Sequence, residues 1–131
     1  MAQPRFSGPD QAAQEGRLLQ NLLGLYAEEV RLYQQVLELS RQQGTTVRRD
    51  GDLLEIRVIL EQKRDCLDRI DRLEKADGGA RSLWENGKEK WSSVGQAKLH
   101  KVLRQVSALI EQILCCEEET DRYLLQKMSA Q

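Results

Sequence analysis

Between Leu18 and Leu39 the apolar residues fall into two rows. One runs Leu19, Leu23, Tyr26, Val30, Tyr33 and Leu37 in steps of four and three; beside it Leu18, Leu22, Leu25, Leu32, Val36 and Leu39 widen the sector. Such steps keep side chains on one face of an α-helix, and a double row is wider than a two-stranded seam uses. The pattern predicts a long helix that meets two neighbours, or one neighbour and a ligand. It starts near Asp10 and is expected to stop at the Gly44-Thr45-Thr46 run, because glycine is the usual C-terminal cap. A helix over residues 10–43, roughly 34 residues, is about 50 Å long.

A second periodic segment, residues 53–76, carries Ile56, Ile59, Lys63, Cys66, Ile70 and Leu73 in one row and Leu53, Leu60 and Leu67 on its flank. Asp52 with Glu55 three residues on has the spacing of a reciprocal capping box. The stretch from Asp50 to Glu61 has the ends of a helix-loop-helix calcium site, but Leu54 and Glu55 stand where an oxygen ligand and the turn glycine belong, so a helix start is the better reading. Lys63 interrupts the apolar row; its stem is expected to lie on that face while its ammonium reaches water. Asp77-Gly78-Gly79 then ends the helix.

The third segment, residues 95–128, places Leu99, Leu103, Val106, Ile110, Ile113, Glu117, Thr120 and Leu124 in one row and Val102, Leu109, Cys116 and Tyr123 in the next. Between the second and third helices, the connector 77–94 holds both tryptophans, Trp84 and Trp91, with Leu83 and Val94. Two indoles are a large share of the apolar area of a slender domain, so they are expected to pack on the end of the bundle. The fold class that follows is all-α: an elongated antiparallel three-helix bundle with coiled-coil-like packing, residues 10–131, behind a disordered tail at 1–9.

Composition narrows the function. Among 131 residues the formal net charge is −1, which argues against a nucleic-acid binder. Both prolines, Pro4 and Pro9, lie in the first ten residues, which leaves the rest free of the strongest helix breaker. No run of about 18 apolar residues exists, so no membrane insertion is expected, and the first ten residues lack the apolar core of a secretory signal. A cytoplasmic location is the expectation. The three cysteines, with Cys115 and Cys116 adjacent, suggest reduced thiols rather than a disulfide framework.

Nothing in the chain resembles a catalytic constellation. His100, the only histidine, lies between Lys98 and Lys101, and Cys115-Cys116 lacks the spacer of zinc or thioredoxin motifs. No phosphate loop, metal set or cofactor motif is present, and a helical carboxylate metal site needs Glu-x-x-His pairs that one histidine cannot supply. An enzyme is therefore not expected. Charge does segregate along the last third: six basic and two acidic residues between Arg81 and Arg104, then Glu111, Glu117, Glu118, Glu119 and Asp121.

The order of these segments, LLGLYAEEVRLYQQVLEL in a long first helix, then GDLLEIRVILEQKRDCLDRI, then a long last helix, resembles the FlgN family of flagellar export chaperones. The nearest match is the second segment, where Gly51-Asp52, Leu53, Ile56, Leu60, Lys63, Leu67 and Ile70 stand in the places of that family's pattern. The resemblance implies a cytoplasmic helical chaperone that binds hook-associated proteins of the hook-filament junction, prevents their premature assembly and hands them to export-apparatus components. A second export chaperone class or a structural coiled-coil subunit, including a homodimer, would share the pattern. The family's use of its last helix, together with an apolar row running past what the shorter second helix covers, places the expected partner site at Leu109, Ile113, Cys116, Thr120, Tyr123 and Leu124.

Overall fold

The computed structural model describes residues 9–130, and every regular element among them is helical. The elements are α1 (Pro9–Arg48), α2 (Leu53–Ala76), α3 (Gly78–Asn86), a single 3₁₀ turn (Lys88–Lys90) and α4 (Ser93–Ser129). Residues 1–8 of the expected tail lie outside the described residues, and Pro9 already opens α1, where proline's fixed φ suits a first turn.

The expected stop at Gly44 is overturned: α1 runs on to Arg48. Gly44 is buried against α4. A Cβ there would stand 2.9 Å from Thr120 Oγ1 and 2.9 Å from Arg48 Nη1, so this glycine allows a close helix approach rather than a cap. Termination falls six residues later, at Asp50, whose φ of 54° is left-handed. The amide of Gly51 donates to Thr46 O at 2.8 Å and that of Asp50 to Val47 O at 3.2 Å, the paired bonds of a Schellman end. Gly51 is needed there for space, since its Cβ would lie 2.4 Å from Thr46 Cγ2.

Asp52 caps α2 as the spacing predicts, with Oδ1 accepting from the Leu54 amide at 2.9 Å. The reciprocal half of the capping box is absent, because Glu55 turns instead to Arg49 at 2.7 Å. The Asp77-Gly78-Gly79 run breaks the helix without ending the helical path: Asp77 is both the C-cap of α2 and the N-cap of α3, and Arg81 N returns to Asp77 O. Much of the expected connector 77–94 is thus helix. Ser92 starts α4 by accepting from the Gly95 amide at 3.0 Å, a standard N-cap bond.

Cross-chain hydrogen bonds fix the directions. Glu15 meets Ser92, Ser40 meets Glu117 and Asp50 meets Lys127, each pair 77 residues apart, so α1 and α4 run parallel and keep one register along their length. Lys63 meets Gln43, Cys66 meets Gln35 and Arg81 meets Glu29, so α2 and α3 run back antiparallel to α1. The double apolar row of α1 is explained by this placement: one flank packs on α4 and the other on α2 and α3. Two core clusters result. One joins Leu19, Leu22, Tyr26, Trp84, Trp91 and Leu99; the other joins Val30, Val36, Leu37, Cys66, Leu109 and Ile113.

Candidate interaction surface

Five of the six residues expected to form a partner site are engaged by α1. Leu109 and Ile113 belong to the second core cluster. Thr120 is buried beneath Gly44 and donates to Cys116 O at 3.2 Å. The Tyr123 hydroxyl donates to Arg48 O at 3.4 Å, with the Arg48 guanidinium 6.0 Å from its ring centre. Cys116 lines a shallow groove between α1 and α4 with Leu37, Arg41 and Glu119. Only Leu124 is exposed at the surface. The stretch of that row beyond the second helix lies against α1, which extends to Arg48 and runs parallel to α4.

The open apolar surface lies elsewhere, and Lys63 locates it. The expectation that its ammonium reaches water is overturned: Lys63 is buried, and Nζ donates to Glu117 Oε1 at 2.6 Å and to Gln43 Oε1 at 3.0 Å. Ser40 Oγ adds a further bond to Glu117 Oε1 at 3.3 Å. These four side chains tie α1, α2 and α4 together. A desolvated ammonium needs such partners, and a carboxylate that keeps some solvent contact supplies the charge.

Helical spacing then places the residues on either side of this tie. Ile59 and Cys66 flank Lys63 on one side and are buried toward α1; Leu60 and Leu67 flank it on the other, 46% and 47% exposed. On α4, Ile113 and Thr120 flank Glu117 toward α1, while Leu114 and Asp121 flank it outward, Leu114 being 54% exposed. One turn further, Leu124 is 38% exposed, and Leu53 and Met128 extend the same rows toward the 49–52 turn. The outer faces of α2 and α4 thus carry exposed leucines above a part-buried ion pair. The signal was present in the sequence as the Leu53, Leu60 and Leu67 flank, spaced by seven, with no row assigned to cover it.

At the other end, Trp84 and Trp91 are buried and stacked, with ring centres 5.1 Å apart and planes 17° apart, and Trp91 Nε1 donates to Trp84 O at 2.7 Å. They pack as expected and leave no exposed indole. Beside them Glu29, 1% exposed, holds Arg81 at 3.2 Å, and the Arg81 guanidinium lies 5.1 Å from the Tyr26 ring centre. Burial pushes the Glu29 carboxyl above the usual carboxylate range, with Arg81 opposing and Glu74 adding to the rise. Burial likewise raises the Tyr26 hydroxyl and the Cys66 thiol.

The other candidate chemistries are dispersed. Asp50 pairs with Lys127 and Glu55 with Arg49, and Asp52 caps α2, so three acidic residues of the calcium-like stretch have partners within the fold. Among the described residues no group of three His, Cys, Asp or Glu side chains is placed to hold a metal, and no helix is long and apolar enough to cross a membrane. His100 and Cys115 are exposed on α4. No protein-family model, curated protein or solved structure matches this chain.

Proposed function

We propose that this chain is a binding protein rather than an enzyme: a cytoplasmic flagellar export chaperone that holds the helical C-terminal segment of a hook-associated protein and keeps it from assembling early. The observation that carries the reading is the α2–α4 seam, where Leu60, Leu67 and Leu114 stay about half exposed beside a neighbouring helix instead of turning into the core. An incoming amphipathic helix laid in such a seam buries both rows at once, the helix-in-groove mode of recognition. The resemblance of the second segment to the FlgN family supplies the client class. In this reading α1, the α2–α3 arm and α4 are the three limbs of an elongated antiparallel bundle with coiled-coil-like packing, and the seam is the one limb-to-limb face left open.

The experiment is capture of the C-terminal segment of a hook-associated protein by the purified chain. Leu60→Asp and Leu114→Asp, both at exposed positions, should abolish capture while circular dichroism keeps the helical signal of the parent. Capture undiminished in the double variant rejects the seam as the client site.

A further inference from the structure

The two rims of the seam carry opposite charge. On α2 the charged row outside Leu60 and Leu67 is Arg57 and Arg64, continued by Asp71, whose charge is matched by Lys75 on its own helix. Both arginines are exposed, and neither has an acidic partner among the described residues. On α4 the row beside Leu114 is acidic: Asp121 lies in it, and Glu111 and Glu118 stand three before and four after Leu114. These three are also exposed and outside every ion pair of the described residues. The exposed leucines of α2 and α4 are therefore bordered by arginines on the one helix and by carboxylates on the other. We infer that the seam selects an amphipathic helix whose leucine-rich stripe is bordered by acidic residues on one side and basic residues on the other, and that this pairing fixes the direction in which the helix lies.

The reason is geometric. A helix in a channel presents its two flanks to the two rims, and reversing its direction exchanges them. With like-charged rims both directions would be equivalent; with Arg57 and Arg64 facing Asp121, Glu118 and Glu111, only one direction sets unlike charges together. Rim pairs add little affinity, yet like charges set against each other are penalised, so the rims act on orientation and choice more than on strength. This inference rests on the seam being a docking site, which the apolar rows alone support.

Three synthetic peptides of about three heptads test it, at concentrations where they sediment as monomers. All share one leucine stripe; one carries Glu on one flank and Lys on the other, one Lys on both, one Glu on both. At low salt the mixed peptide should bind the full chain about fivefold more tightly than either uniform peptide, the scale of two or three rim pairs. High salt should erase the preference while binding persists. Arg57→Glu/Arg64→Glu, which makes both rims acidic, should transfer the preference to the all-Lys peptide. Equal binding of all three peptides would overturn the charge selection and leave the docking site standing. No binding of any peptide would remove the docking site itself. A free chain that sediments as a dimer, and becomes monomeric with Leu60→Asp, would assign the seam to a second copy and overturn the inference.

Discussion

Where α4 begins, Trp84 and Trp91 stack beneath Leu19, Leu22 and Leu99, and Trp91 satisfies its one polar atom on the backbone of Trp84. Toward the 49–52 turn the comparable space between helices is held by Lys63, Glu117, Gln43 and Ser40. The first end is closed by large apolar groups that fill volume. The second is spanned by a few polar atoms that set a separation, and above them leucines remain uncovered. An ion pair can hold two helices at a fixed distance without supplying the bulk that would seal the gap, so the less well filled end is the one that keeps apolar side chains exposed.

The widest separation between the two ends should appear in stability. Trp84→Ala removes a nearly fully buried indole and its stacking partner's support, and should cost about 4 kcal/mol in denaturant unfolding. A loss below about 1 kcal/mol would mean the tryptophan end does not anchor the fold.

The polar tie should respond asymmetrically. Glu117→Ala leaves the Lys63 ammonium desolvated with only Gln43, and should cost about 2 kcal/mol. Lys63→Met replaces the cation with apolar volume and leaves a carboxylate that reaches solvent, so its cost should stay within about 1 kcal/mol of zero. Equal losses in the two variants would show that the tie contributes through its volume, and the contrast drawn between the ends would weaken.

A pH series sharpens the comparison at the aromatic end. Because the folded-state pKa of Glu29 lies above its ordinary value of 4.5, the folded chain binds that proton more tightly than the unfolded one. The stability contributed by this proton is fully present below pH 4.5 and is lost as the pH rises through the folded-state value. Relative to Glu29→Gln, the natural chain should therefore lose thermal stability from about pH 4.5 toward neutrality. Parallel curves for the two chains would contradict it. The smallest effect belongs to Leu60→Asp, where an already exposed residue becomes polar: its unfolding midpoint should stay within about 0.5 kcal/mol of the parent. By contrast Ile113→Asp, at a buried position, should unfold the chain and cannot report on docking.

The helices were legible because their apolar spacing is dense and uninterrupted from Leu18 to Leu39 and from Leu99 to Ile113. Gly44 misled because a glycine needed for close approach looks the same in sequence as a glycine needed for a positive φ; only the Thr120 contact separates them. Lys63 misled for a related reason: burial of a lysine depends on a carboxylate 54 residues away, and no local pattern carries that distance. Leu109 and Ile113 pack in the core while Leu114 and Leu60 stay exposed, and the sequence does not separate the two rows because periodicity finds apolar faces without saying which neighbour covers each. That choice follows from α1 and α4 being parallel, a fact of chain path rather than of any segment.

The separation of 77 residues between paired positions of α1 and α4 has a kinetic consequence. Helix α2 folds back on α1 after a four-residue turn, whereas α4 must close a far longer loop, and local pairings form faster than distant ones. During synthesis at about 5–20 residues per second, the interval between the emergence of Ala76 and of Ser129 lasts roughly 3–10 s. Contact order therefore predicts that α1 and α2 pair during that interval, before α4 can cover its flank of α1. The seam is thus the last surface to be made, since one of its walls arrives only when α4 seats. Pulse-labelled amide exchange should find α1 and α2 protected before α4.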